Sequence, residues 1–273
     1  MVTTYFPEVS DAELLEKNRI YDRASDVIWR RVVYDPVHDG WEFTNMGGRH
    51  ILDYVGQCAS LSGGNVVELC SGLGDTCRYL ARNFKCHVTG VEMNHHQFQS
   101  AMERLSSDPE LSGRIDFVLS DVRTWQPEKA FDVAFSLDSL MLVNGVPEIL
   151  SKVHSVMKPG GVVVLTEMTS GPNVTKELLE FVWKLDGMIT VPTPVEYEAM
   201  LIEAGFTGIE VLNVTSLAED CFDRMSTALQ QQRDELLEAI DSGEYDSWER
   251  LTGFYRDCFR NQQFTYSRIT AHR

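Results

Sequence analysis

Between Asn65 and Asn94 the chain changes periodicity twice, and no other stretch limits its fold as tightly. Val66-Val67-Glu68-Leu69 is a short, mostly apolar run of the kind buried on both faces of a parallel sheet. Cys70-Ser71-Gly72-Leu73-Gly74-Asp75 interrupts it, and Thr76-Cys77-Arg78-Tyr79-Leu80-Ala81 resumes with helical spacing. A second strand, His87-Val88-Thr89-Gly90-Val91, ends on the carboxylate Glu92, 24 residues after Glu68. Strand, glycine turn, helix and strand in this order predict a nucleotide-binding βαβ unit. Gly72 and Gly74 let the backbone turn without a Cβ and approach a ligand closely. An acidic residue closing the second strand can accept hydrogen bonds from both hydroxyls of a ribose, so an adenosine-like ligand is expected.

Gly72-Leu73-Gly74-Asp75-Thr76-Cys77 can be read as a dinucleotide fingerprint in which Cys77 replaces the third glycine. A pyrophosphate, however, needs bare amides at a helix N-terminus, and here Glu68 and Asp75 flank the turn. Two carboxylates repel a pyrophosphate and suit a ligand that carries an ammonium and a sulfonium. On these residues the chain resembles the class I S-adenosylmethionine-dependent methyltransferases. Their first motif, acidic-x-Gly-x-Gly-x-Gly, is matched by Glu68-Leu69-Cys70-Ser71-Gly72-Leu73-Gly74, with Cys70 in place of the first glycine.

Four further elements fall in the order that family has them. Glu92 ends the second strand; Ser120-Asp121-Val122 follows the third strand, Ile115-Asp116-Phe117-Val118-Leu119. The fourth strand, Phe131 to Leu137, delivers Asp138-Ser139-Leu140-Met141, and Lys158-Pro159-Gly160-Gly161 precedes the fifth, Val162 to Met168. The resemblance implies S-adenosylmethionine as cofactor, with Glu92 on the ribose, Asp121 on the adenine amino group and the Val122 amide at the ring. It places Glu68, Cys70, Gly72, Gly74, Met93 and Leu137 around the same cofactor, with Tyr21 reaching in from an N-terminal helix. Relatives that methylate hydroxyls often carry a histidine just after an acidic-Ser-Leu run; Met141 and Leu142 stand here instead, which argues against a histidine-based O-methyl transfer. Asp138 is then the candidate catalytic residue, as a base or an anchor for a cation, at a strand end that faces the crevice of an open α/β sheet. As a residue type it is equally a helix N-cap.

The flanking sequence supplies covers for such a site. Ser10-Asp11-Ala12-Glu13 reads as a capping box, and Leu14, Tyr21, Ile28 and Val32 recur at helical spacing, so a helix over about Asp11 to Val33 is expected, with a turn at Pro36 and Gly40. Val37-His38-Asp39-Gly40-Trp41 resembles an element that precedes the core in small-molecule methyltransferases; His38 and Trp41, with Met141 and Tyr197, are the candidate acceptor-binding residues, although aromatic residues at helical spacing also serve as core. Arg49-His50-Ile51-Leu52 opens another helix. Irregular residues from Thr169 to Val195 look like a substrate cap. A helix follows from Pro194 to Gly205, then a strand over Ile209 to Val214. Ser216-Leu217-Ala218-Glu219 predicts a second capping box at the start of a long helix continued by Phe222, Met225, Leu229, Leu236 and Ile240; a shorter one carries Trp248 to Phe259, and the strand Phe264 to Ile269 would close a sheet edge antiparallel to its neighbours.

The expected fold is therefore α/β: a Rossmann-like, mostly parallel seven-stranded sheet with the last strand antiparallel. Residues 1–62 would form a helical lid, and residues 63–273 the core, with helical insertions at about 169–195 and 216–262. A hydrophobic content of 43% over 273 residues supports one substantial core. No run long and apolar enough for a membrane span and no signal-peptide pattern is read, so the expectation is a cytoplasmic protein without a membrane partner. A net charge of −17 disfavours nucleic acid as substrate. The six cysteines lack C-x-x-C pairs, and His95-His96 has no third ligand at compatible spacing, so neither a disulfide framework nor a metal is expected. The reading is a methyltransferase acting by in-line displacement on a small metabolite, at nitrogen or oxygen, with carbon methylation of an alkene, prenyl or aromatic substrate as the alternative. From other classes stand a nicotinamide-dependent oxidoreductase, disfavoured because no Tyr-x-x-x-Lys pair is evident, and a non-catalytic S-adenosylmethionine binder. A homodimer is the candidate assembly.

Overall fold

Strands whose residues are apolar on both faces occupy the centre of the sheet. β1 (Asn65–Leu69), β2 (His87–Glu92) and β4 (Phe131–Leu137) are buried almost throughout, and β5 (Met157–Ser170) is buried past its first residues. With β3 (Ile115–Leu119), β6 (Thr207–Asn213) and β7 (Phe264–His272) they form one sheet in the order β3-β2-β1-β4-β5-β7-β6 in this computed structural model, which describes residues 9–17, 26–59 and 64–273. β7 runs antiparallel to both of its neighbours, while β1 to β5 pair in parallel. The chain winds outward from β1 to β3 and returns to β4 on the other side of β1. The carboxyl ends of β1 and β4 thus form the topological switch point, where an open α/β sheet leaves a crevice.

Two apolar layers cover the sheet. On one face α7 (Val146–Val156) and α9 (Pro194–Glu203) bury Ile149, Leu150, Val153, Tyr197 and Leu201 against it; on the other α4 (Gly48–Cys58) and α5 (Asp75–Phe84) bury Ile51, Leu52, Val55 and Leu80. The first of these helices, α1 (Asp11–Lys17), precedes α2 (Asp26–Ile28), a π-helical turn Trp29–Tyr34 and α3 (Asp35–His38). Downstream come α6 (His95–Ser106), α8 (Lys176–Asp186), α10 (Thr215–Gln231), α11 (Arg233–Ala239) and α12 (Ser242–Arg260). Ile28, Val32 and Tyr34 pack with Met225, Leu229, Leu236 and Tyr245, so the N-terminal helices and the helices before the last strand share one apolar cluster. Among the described residues no helix is long and apolar enough to cross a membrane.

Several expected elements fold differently, each for a local reason. The second N-terminal segment does not turn at Pro36 but stays helical to His38, reversing only at Asp39 and Gly40, which have φ of 53° and 84°. The wide turn before it, in which the Asp35 amide donates to the Arg30 carbonyl, absorbs the proline ring that would clash in a tighter helix. Lys158-Pro159-Gly160-Gly161 is not a turn ahead of β5 but a bulge inside it: pairing with β4 jumps from Phe131↔Met157 to Val133↔Val162, and Lys158 Nζ reaches both Asp132 oxygens at 2.8 Å. β7 is not an edge. It is buried along both faces between β5 and β6, and the edge falls to β6, whose side chains are mostly exposed. Ser216 caps nothing at the start of α10, because Asn213 Oδ1 already accepts from the Thr215 amide at 2.9 Å. The long helix breaks at Gln232, and α12, with 19 residues, is the longest helix among the described residues rather than a short one.

Candidate active site

A cavity of about 500 Å³ opens at the switch point. Its floor is the turn after β1, where Cys70, Gly72 and Gly74 all take positive φ, of 55°, 55° and 78°. Cys70 therefore adopts, with a Cβ, the conformation the missing motif glycine would take freely. A side chain at Gly72 would meet only Gln97 Oε1, at 3.7 Å, so this glycine keeps the cavity wall open. Gly74 serves another purpose: a Cβ there would lie 2.4 Å from the Phe117 ring, and the residue does not line the cavity. Its glycine is required by packing between α5 and β3, which corrects the expectation that both glycines approach the ligand.

Glu92 stands beside Gly72 as a preoriented acceptor. Its Oε2 takes the Gly72 amide at 2.9 Å and its Oε1 the Asn94 amide at 2.7 Å. Burial raises its pKa, while the amides of Asn94, Gly72 and Met93 pull it back toward the ionised form. Glu68 and Asp75, by contrast, do not face the cavity. Glu68 is buried and accepts the Thr76 hydroxyl at 2.5 and 2.6 Å and the Cys77 thiol at 2.9 Å, and burial pushes its pKa up to about 8. Asp75 is clamped by Arg78 at 2.8 Å and by Arg104. The two carboxylates expected to attract a cationic ligand instead knit α5 to the sheet and to α6.

Asp121 and Val122 line the cavity opposite this turn. The Asp121 carboxylate is held below its usual range by Arg123, whose Nε lies 3.0 and 2.9 Å from its two oxygens. The same guanidinium reaches Asp11 of α1 at 2.6 Å, and Asn144 Nδ2 bonds both Asp11 and the Val9 carbonyl at 2.9 Å. The first helix is thereby tied across the cavity mouth. Met93 and Leu137 also line the cavity, and Tyr21 lies outside the described residues.

Asp138 closes the cavity at the end of β4, left-handed at φ 54° and 9% exposed. It is not a helix N-cap; its own amide donates to Thr166 O at 2.8 Å, and its Oδ2 accepts the Met46 amide at 2.6 Å and the Tyr266 hydroxyl at 3.2 Å. Its Oδ1 is buried without a well-formed hydrogen bond. Burial pushes the carboxyl up to about 7, against the Met46 amide and the Tyr266 and Thr166 hydroxyls. Behind it Glu167, fully buried and raised well above its usual value, accepts the Leu140 amide at 3.1 Å.

The residues expected on the acceptor side do not gather here. Tyr197 is fully buried under α9 against the opposite layer, because its position in α9 points into the core. Trp41 stacks on Phe43 at 5.5 Å and packs edge-on against Tyr79, as a core aromatic. Met141 is buried with Met168 and Leu179, and its neighbour Leu142 lines the cavity instead. His38 lies in a separate cleft between α4 and α10, 3% exposed, with burial lowering its pKa to about 4. The residues that do line the upper wall include Trp29 and Tyr34, stacked at 5.8 Å, and Thr44. Trp29 and Tyr34 look like packing residues in the sequence, and only the π-helical turn, which no propensity announces, brings both to one wall. Arg123, two residues past Asp121, is the one missed residue with a local signal. Among the described residues no group of His, Cys, Asp and Glu is arranged to hold a metal.

Residues 66–161 match the family model of the methyltransferase domain. Phosphoethanolamine N-methyltransferase 1 of Arabidopsis thaliana is 27% identical over 198 residues, which is 71% of this chain and 38% of that protein. The phosphoethanolamine N-methyltransferase of Triticum aestivum is 25% identical over 254 residues, 90% of this chain and 48% of that protein. The chain thus spans less than half the length of these curated relatives. Among solved structures, phosphoethanolamine N-methyltransferase 2 of Haemonchus contortus, with phosphomonomethylethanolamine and S-adenosylhomocysteine, superposes with a TM-score of 0.83 at 20% identity, covering 97% of this chain and 60% of that one. Residues 66–161 thus carry a methyltransferase domain, and the chain has the fold of that solved structure.

Proposed function

We propose that the protein transfers a methyl group to the nitrogen of a small metabolite. The observation that carries this reading is the pairing, in one cavity, of a buried carboxylate bracketed by the Gly72 and Asn94 amides with a second carboxyl, Asp138, one oxygen of which makes no well-formed hydrogen bond. Glu92 has the remaining lone pairs to accept two ribose hydroxyls, and the open wall at Gly72 admits a ligand against the backbone. Asp121 and Val122 would take the adenine. Bound there, S-adenosylmethionine would supply an electrophilic methyl on a sulfonium. Asp138 would hold the acceptor nitrogen and receive its proton, a role to which a carboxyl titrating near neutrality is matched. The lid of residues 1–62 and the insertions at about 169–195 and 216–262 would exclude water and align the acceptor.

The test is transfer from cofactor labelled in its methyl group to a panel of amines, beside the corresponding alcohols. Label on an amine is expected; label on alcohols alone, or cofactor binding with no transfer, rejects the reading. A finer check concerns Asp121. Asp121→Ala should weaken cofactor binding by about 1–2 kcal/mol in calorimetry, since one hydrogen bond is lost and water can enter. A loss as large as that at Glu92 would mean the two roles are reversed.

A further inference from the structure

The charges on the cavity wall say more about the acceptor than its relatives' names do. Six carboxylates line the cavity, Asp11, Asp26, Glu42, Glu92, Asp121 and Asp138, against three arginines and no lysine. Each of those arginines is already engaged by two carboxylates. Arg30 pairs with Glu42 at 2.7 Å and Asp35 at 3.8 Å, Arg104 with Glu42 and Asp75, and Arg123 with Asp121 at 2.5 Å and Asp11 at 2.6 Å. Among the described residues, the wall thus offers a phosphate no guanidinium that is not neutralised in place. A dianion would have to break one of these pairs and leave a carboxylate behind it, in a wall already net negative.

The same wall is well made for a cation. Asp138 is nine-tenths buried, and its Oδ1 makes no well-formed hydrogen bond while Oδ2 is held in place by Met46 and Tyr266. A buried carboxylate oxygen without a well-formed hydrogen bond is costly, and an ammonium N–H is a group that relieves it. Trp29 and Tyr34 add stacked aromatic faces to the wall of the same cavity, and such faces attract alkylated ammonium groups. We infer that the acceptor is an unphosphorylated amine, whose nitrogen end is held by Asp138 and the Trp29–Tyr34 wall and whose methylated product leaves as a cation. This rests on the proposed methyl transfer, and it separates the chain from the phosphorylated acceptor named for its relatives.

Calorimetric titration of the S-adenosylhomocysteine-loaded protein tests it without requiring turnover. The probes are N,N-dimethylethanolamine and its phosphate ester, which differ only in the phosphate and both carry an ammonium N–H when protonated. Dimethylethanolamine is expected to bind, its phosphate ester at least tenfold more weakly, and Asp138→Asn should lose at least tenfold in dimethylethanolamine affinity while holding S-adenosylhomocysteine as the parent does. The phosphate ester binding as tightly as dimethylethanolamine would overturn the inference, and so would failure of both probes to bind a protein that holds S-adenosylhomocysteine. Failure to bind S-adenosylhomocysteine at all would defeat the underlying reading and the inference with it.

Discussion

Replacing Glu92 with alanine is expected to weaken S-adenosylmethionine binding by about 2–4 kcal/mol, roughly 30- to 900-fold in dissociation constant. Two charge-assisted hydrogen bonds to the ribose would be lost, and the loss is not repaired locally. The carboxylate is also the acceptor for the Gly72 and Asn94 amides, at 2.9 and 2.7 Å, so its removal leaves the glycine turn and the start of α6 without their shared partner. Part of the effect could therefore come from a displaced turn. Glu92→Gln separates the two contributions, because an amide oxygen can keep one backbone donor in place while the charge is gone. Calorimetry should give Glu92→Gln an affinity between those of the parent and Glu92→Ala, with thermal unfolding of the Gln variant close to the parent's. Unchanged affinity in Glu92→Ala would reject the assignment outright.

The elements that could be read in the sequence are those in which a local pattern and the tertiary environment ask for the same thing. Val66, Val67 and Leu69 are apolar because β1 is covered on both faces, and a glycine turn followed by a strand ending in Glu92 has few other uses. The parts that could not be read depend on side-chain partners that the motif does not name, several of them far away in the chain. Glu68 and Asp75 look alike in sequence to carboxylates that greet a ligand; what removes them is Thr76 and Cys77 in one case, Arg78 and Arg104 in the other. Gly74 has the motif position of a ligand glycine, yet Phe117, more than forty residues on, is what needs the space. β7 carries an edge-like mixture of Thr, Ser and Arg, but the hydroxyls of Thr169, Thr265 and Ser267 satisfy one another at 2.8 and 2.9 Å inside the sheet. The wall at Trp29 and Tyr34 depends on a π-helical turn, and the lid's hold on the core depends on Arg123 and Asn144 meeting Asp11. Of these pairings only Asp75 with Arg78, three residues apart on α5, leaves a trace in spacing.

Asp138→Asn should depress single-turnover methyl transfer by about 10²–10⁴-fold while leaving cofactor affinity nearly intact. The substitution is mild for the fold. Asparagine tolerates the left-handed backbone that Asp138 adopts at φ 54°, and its side-chain oxygen can still accept from Met46 and Tyr266. What it removes is the charge and the ability to take a proton. Because burial raises the Asp138 carboxyl from its ordinary range to about 7, the linkage also has a definite sign. The group's contribution to folding stability is fully present below the unfolded carboxyl pKa and is lost as pH rises through about 7, so Asp138→Asn should lose that part of the decline in stability between about pH 4 and pH 7. Catalysis runs the other way: the parent's transfer rate should rise as the carboxyl ionises near pH 7, and that step should be absent from the Asn variant's profile. Glu167 behind it is held well above its usual value by burial and by the Asp138 charge. A parent-like single-turnover rate in Asp138→Asn, with a parent-like pH profile, would sink the catalytic role and leave Asp138 as the residue that fastens the Met46 turn to the end of β4.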